Sequence, residues 1–165
     1  MPSEDAISLL KADHKKVKTL LSELENTTER GAKKREKLLG QIEKELKLHA
    51  TVEEQIFYPA FRDAVKKKED RELFFEAIEE HHMVKIVLPE MKATDASSEI
   101  FTAKASVLKE LVEHHIKEEE REMFPEARKV LDQEELQALG SRMQAKKKEL
   151  MANGIPPSDE EMRMK

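Results

Sequence analysis

One arrangement occurs twice in this chain, and it limits the fold more than any other feature. His49 and Glu53 stand four residues apart, and Pro59 follows His49 by ten; His115 and Glu119 repeat the spacing ahead of Pro125. On a helix, residues four apart share a face, one turn from each other. Each pair is placed to grip one ion between an imidazole and a carboxylate. One such pair is common on solvated helices, whereas two with the same proline spacing point to a duplicated helical unit.

Apolar residues between these stretches recur at the helical period. A first helix carries Ile7, Leu10, Val17, Leu20, Leu21 and Leu24, with His14 in the missing rung, Ser3 as its cap and Glu4 and Asp5 in its first turn. A second, over about 32–65, carries Leu39, Ile42 and Leu46, then His49 and Glu53, then Ile56 and Ala60; Pro59 should kink or interrupt it. A third opens near Asp70 with Leu73, Phe74 and Ile78, passes His81, continues through Val84, Leu88 and Met91, and is bent by Pro89. Ser97 or Ser98 caps a fourth, which runs through Phe101, Ala105, Leu108, Val112, His115 and Glu119 to Pro125. Asp132 and Glu135 have capping-box spacing and open a shorter fifth helix with Leu136, Leu139, Met143 and Leu150, ended by Asn153-Gly154.

The repeat extends beyond the two pairs. Asp13-His14 followed by Val17, Leu20, Leu21 and Leu24 matches Glu80-His81 followed by Val84, Val87, Leu88 and Met91 at the same steps. It selects His81 over His82 and His115 over His114, since the rejected neighbours are rotated by about 100° on their helices. The fold class expected is all-α: an up-down-up-down four-helix bundle from two helix-pair repeats, plus the shorter C-terminal helix. In such a bundle His14, His49, His81 and His115 fall at one height, with Glu53 and Glu119 one turn further along the second and fourth helices.

Composition removes several alternatives. Charged residues make up 39% of the chain and mean hydropathy is -0.71, yet the apolar residues are periodic rather than scattered, unlike a disordered polyampholyte. A net charge of -5 with interspersed signs offers no basic face for nucleic acid, and Lys66-Lys67-Lys68 and Lys146-Lys147-Lys148 read as solvated surface beside acids. No stretch approaches the ~20 apolar residues of a membrane span, and the N-terminus lacks an apolar signal segment. The absence of cysteine excludes thiolate ligands and disulfides, and a cytoplasmic location follows as the default.

Burying four histidines and two glutamates in one layer is costly unless they are paired or hold metal. Imidazole and carboxylate without sulfur suit iron, manganese or zinc. Two glutamates flanked by four histidines offer more donors than one tetrahedral zinc uses, and they match a dinuclear centre bridged by the carboxylates. Tyr58 and Glu54, near the site in sequence, read as packing and surface residues.

These residues resemble the hemerythrin-like family, the HHE cation-binding domains. The likeness rests on Asp13-His14, His49-x3-Glu53-Glu54-x4-Pro59, Glu80-His81 and His115-x3-Glu119-Glu120-x4-Pro125, and covers about 9–125. It implies a four-helix bundle holding an oxo- or hydroxo-bridged pair of non-haem irons (Fe2+/Fe3+), with manganese or zinc the poorer candidates. The implied ligands are His14, His49, Glu53, His81, His115 and Glu119, with Glu53 and Glu119 bridging and no catalytic residue beyond them. Oxygen-carrying members have a further histidine on the third helix, four residues from its partner; here those positions are Ala77 and Lys85. Water, hydroxide or a carboxylate such as Glu80 would fill the gap. The resemblance then implies reaction with dioxygen or hydrogen peroxide, including catalase-like peroxide breakdown, or else sensing of oxygen or iron, or iron handling, without turnover. Small oxygen species are the expected ligands, with no nucleic acid or membrane and an unspecified protein partner. Residues 1–155 are expected to form the domain and 156–165 a flexible tail.

Overall fold

A computed structural model describes residues 4–157. The first helix, α1 (Ala6–Glu25), starts at Asp5, whose carboxylate accepts a hydrogen bond from the Ser8 amide at 2.8 Å. Asp5 is therefore the cap rather than a first-turn residue, and Ser3 lies outside the described residues. The same carboxylate receives Arg128 at 3.3 Å and Gln133 at 3.1 Å, which ties the start of α1 to the far end of the chain.

The single second helix expected from periodicity is three pieces: α2 (Ala32–Val52), a π-helical turn at Glu53–Phe57, and α3 (Tyr58–Ala64). Pro59 has no amide proton, and its ring crowds the carbonyl four residues back. Widening the preceding turn to π geometry relieves that crowding without ending the helix. The repeat behaves identically: α5 (Glu99–Glu118) gives way to a π turn at Glu119–Met123, and α6 (Phe124–Val130) follows. Both π turns begin on a glutamate of the repeated pair. Between them, α4 (Lys68–Lys92) opens two residues before Asp70 and runs on through Pro89. Ser98, rather than Ser97, caps α5 through the Phe101 amide. The capping box at Asp132 and Glu135 is complete and starts α7 (Gln133–Asn153), which Gly154 ends at φ 86°.

No strand forms among the described residues, and none of their helices is long and apolar enough to cross a membrane. The histidine layer divides the core in two. On one side Ile7, Leu10, Val52, Phe57, Phe61 and Phe124 cluster with Leu136, Leu139 and Met143 of α7. On the other, Val17, Leu21, Ile42, Leu46, Leu88 and Val112 fill the bundle toward the α1–α2 and α4–α5 turns. The fifth helix thus lies along α1 and α2 and closes one half of the core. Its Gly140 allows the backbone of Glu4–Ala6 to approach closely.

Candidate metal centre

His14, His49, Glu53 and Glu119 each bring one ligand atom within 4.8 Å of the others; His81 and His115 do the same with the same two glutamates. All six residues are at most 7% exposed. His49 Nε2 lies 2.9 Å from Glu53 Oε1, His81 Nε2 3.2 Å from that oxygen, and His115 Nε2 2.5 Å from Glu119 Oε1. His14 Nε2 stands further off, 3.7 Å from Glu119 Oε1, while the Nε2 atoms of His81 and His115 are 3.1 Å apart. His82 and His114 face outward, their side chains 44% and 65% exposed.

Six atoms of this layer, the Nε2 of His14 and His49 and all four oxygens of Glu53 and Glu119, are buried without a hydrogen bond. Native interiors rarely leave such groups unpaired. Their types are those that hard-to-intermediate metal ions take, and their convergence fits two ions sharing both glutamates.

Each histidine is oriented from behind by a carboxylate. Nδ1 of His14 meets Glu120 at 2.7 Å, that of His49 meets Asp13 at 3.0 Å, that of His81 meets Glu54 at 2.7 Å, and that of His115 meets Glu80 at 2.8 Å. A neutral imidazole that donates from Nδ1 aims the Nε2 lone pair inward, which is how metal-binding histidines are held. The four acids obey the repeat: each precedes a histidine (Asp13, Glu80) or follows a central glutamate (Glu54, Glu120). Glu54 is thus not a plain surface acid, and it also receives Lys85 at 2.8 Å. Glu80 stands behind His115 rather than in the open ligand position. Nor is Lys147 wholly solvated: its ammonium bonds both Asp13 oxygens, at 2.5 and 2.6 Å, so α7 reaches His49 through one intervening carboxylate.

The protein groups polarise one another strongly. Burial alone would lower His49, but the Glu53 charge and the hydrogen bond to Asp13 raise it to about 10. Burial opposes the charge on His115 too, yet Glu119 lifts it well above the usual histidine range. Glu53 is held well below the carboxylate range against burial, chiefly by His49.

A cavity of about 270 Å³ borders all four histidines and is also lined by Lys47, Thr51, Gln55 and Lys85. Ile155, Pro156 and Pro157 lie against it, and residues 158–165, the rest of the expected tail, lie outside the described residues.

The hemerythrin HHE cation-binding domain matches residues 5–127. The chain belongs to the hemerythrin HHE family. A crystal structure of a hemerythrin HHE cation-binding domain-containing protein from Mycobacterium kansasii superposes with a TM-score of 0.76 at 26% identity, covering 92% of this chain and 94% of that one. A curated relative described as a DNA nickase, from Nostoc sp. (strain PCC 7120), is 29% identical over 142 residues, 86% of this chain but 39% of the relative. This chain therefore spans about two fifths of that relative's length.

The two positions four residues from His81 supply neither an imidazole nor a carboxylate. Ala77 is buried and Lys85 turns to Glu54, but the Tyr58 hydroxyl, fully buried, lies 3.2 Å from His81 Nε2 and 3.3 Å from His115 Nε2. Burial raises the Tyr58 phenol well above its usual range, and the charges of Glu119 and Glu53 raise it further, so it keeps its proton. The sequence reading of Tyr58 as packing captures its ring, which sits against Phe74 and His81, but misses its hydroxyl. At the matching position of the second repeat Phe124 stacks on His14, with centroids 5.7 Å apart and planes 5° apart.

Proposed function

We propose that His14, His49, His81 and His115, with Glu53 and Glu119 between them, hold two iron ions, and that the protein reacts there with dioxygen or hydrogen peroxide, breaking peroxide down in a catalase-like manner. The observation that carries this reading is the sharing of Glu53 and Glu119 by two four-residue groups, each with its own two histidines. When bound, two ions that each change by one electron supply the two-electron exchange that peroxide needs. The chain's own residues set the conditions. Asp13, Glu54, Glu80 and Glu120 keep four imidazoles aimed inward, the apolar layer of Phe57, Phe61 and Phe124 closes one side of the centre, and Tyr58 holds a hydroxyl proton beside His81 and His115 for an oxygen-bearing ligand.

Metal analysis and absorption spectra before and after peroxide test the assignment, together with oxygen release from added hydrogen peroxide. The expected result is about two irons per chain, the stoichiometry of carboxylate-bridged bundle centres, and oxygen release that His49→Ala abolishes. Release equal to that of free iron and unchanged in His49→Ala overturns the catalytic reading. A sensing or iron-handling role without turnover is favoured by one observation, the Lys147–Asp13–His49 chain that links α7 to the centre. In that case iron removal should lower the melting temperature and loosen α7 with no peroxide turnover in the loaded protein.

Strand cleavage, as named for the Nostoc relative, finds less support in this chain. Lys11, Lys15 and Lys18 border one groove beside His14, but Glu23 and Glu120 share it, and the net charge is -5.

A further inference from the structure

A water molecule needs about 10–15 Å³ of cavity, and hydrogen peroxide needs about twice that. The cavity at the histidines, about 270 Å³, is thus roughly ten times too large for peroxide alone. It also exceeds the ~150 Å³ apolar cavity that admits benzene. Its apolar walls include Val17, Leu46, Val84, Leu88, Val112 and Ile116, contributed by α1, α2, α4 and α5, with Ile155, Pro156 and Pro157 beyond α7. Those on the helices lie on the core half facing the α1–α2 and α4–α5 turns. Water against those side chains would find no partners, and such cavities take apolar guests. Besides the four histidines, the polar residues that line it are Lys47, Thr51, Glu54, Gln55 and Lys85. Ligand sites are built this way, with an apolar body and few polar groups to fix orientation.

We propose that this cavity binds the organic part of an organic hydroperoxide, an apolar body larger than benzene whose oxygen-bearing end rests at the histidines. The chemistry rests on the peroxide reading above; the binding does not. The O–O bond of ROOH breaks as the molecule takes up two electrons and two protons, giving the alcohol ROH and water. The chain has no cysteine, so an external thiol supplies both, two thiols joining as one disulfide and releasing two electrons and two protons.

Cumyl alcohol, the product expected from cumene hydroperoxide, is the probe. Its binding to the full chain, iron-loaded and metal-free, is measured by calorimetry and by shifts of the Val84 and Val112 methyl resonances. Binding to both forms is expected, weakened at least tenfold in Val84→Phe, which fills the cavity from a half-buried wall, and in Val112→Phe should the first variant lose helicity. In iron-loaded protein with a thiol, the ratio of cumene hydroperoxide to hydrogen peroxide consumption should fall at least tenfold in the same variant. Normal iron content with no alcohol binding and no methyl shift overturns this inference and leaves the di-iron reading standing. Alcohol binding in a protein that takes up no iron retains the cavity as an organic site but overturns the hydroperoxide as its substrate and the di-iron reading with it.

Discussion

Replacing Gly140 by alanine should destabilise this protein even though alanine is the better helix former. In α7 the usual gain would be about 1 kcal/mol. Here a Cβ would fall inside contact distance of the Glu4 carbonyl oxygen and 3.1 Å from both the Ala6 nitrogen and the Asp5 carbonyl carbon. These are backbone atoms, so no side chain can swing aside and α7 must move off α1. Overpacking of this kind costs about 1–3 kcal/mol, and disturbing Asp5 as the α1 cap adds about 1 kcal/mol. Set against the propensity gain, the net loss is about 1–3 kcal/mol. Gly40 supplies the control: it is exposed inside α2, and a Cβ there meets nothing within 4 Å. Gly40→Ala should therefore gain up to about 1 kcal/mol. At roughly 2–4 °C per kcal/mol for a chain of this size, thermal melts by circular dichroism should move in opposite directions. A Gly140→Ala protein that melts with or above Gly40→Ala would refute the close approach of α7 to α1.

The remaining expectations concern the site and its supports. Asp13→Asn should weaken iron binding about 10–100-fold in chelator competition, because it replaces the charged acceptor behind His49 by a neutral amide and removes the ion-pair partner of Lys147. Tyr58→Phe keeps the ring and should keep the iron content, while peroxide consumption falls about a hundredfold if the hydroxyl proton is used; unchanged turnover would remove Tyr58 from the chemistry. Burial works to raise Asp5, but hydrogen bonds from Ser8 and Gln133 and the charge of Arg128 leave it below the usual carboxylate value. The stability this contributes is complete above the unfolded value of about 3.9 and disappears as pH falls through the lower folded value. Asp5→Ala should accordingly cost about 1–2 kcal/mol at neutral pH, with the gap to the parent narrowing in acid in denaturant melts.

Periodicity and caps were enough to read the four long helices, the capping box at Asp132 and the apolar stripe of α7, because each depends on residues within a few turns of one another. The histidine layer was readable for a related reason: the repeat supplied a second copy against which ambiguous neighbours such as His81 and His82 could be compared. The π turns were not readable. Pro59 and Pro125 announce a missing donor, but whether the preceding turn widens or the helix kinks depends on what the flanking turns pack against. Glu54 was read as surface and Glu80 as a ligand for the open position, because an acid beside the inward face looks the same whether it meets water, an ion or the Nδ1 of a histidine on another helix. Their regular place in the repeat was the one available signal. Tyr58 and Lys147 were obscured likewise, since their partners come from helices remote in sequence.

The pairing of Tyr58 with Phe124 has a consequence for the centre as a whole. Two sequence repeats related by a pseudo-twofold axis would make two equivalent metal positions, matched in histidines, in shared glutamates and in outer carboxylates. One oxygen atom breaks that equivalence beside the histidines, as Lys147 on Asp13 does further out. The His81–His115 end has a protonated phenol beside it, and at the other end His14 is covered by the bare face of Phe124. The centre is therefore directional: a ligand with unequal ends meets a hydrogen-bond donor at one metal position and a hydrocarbon wall at the other, and two bound irons would be distinguishable by spectroscopy even with identical first ligands.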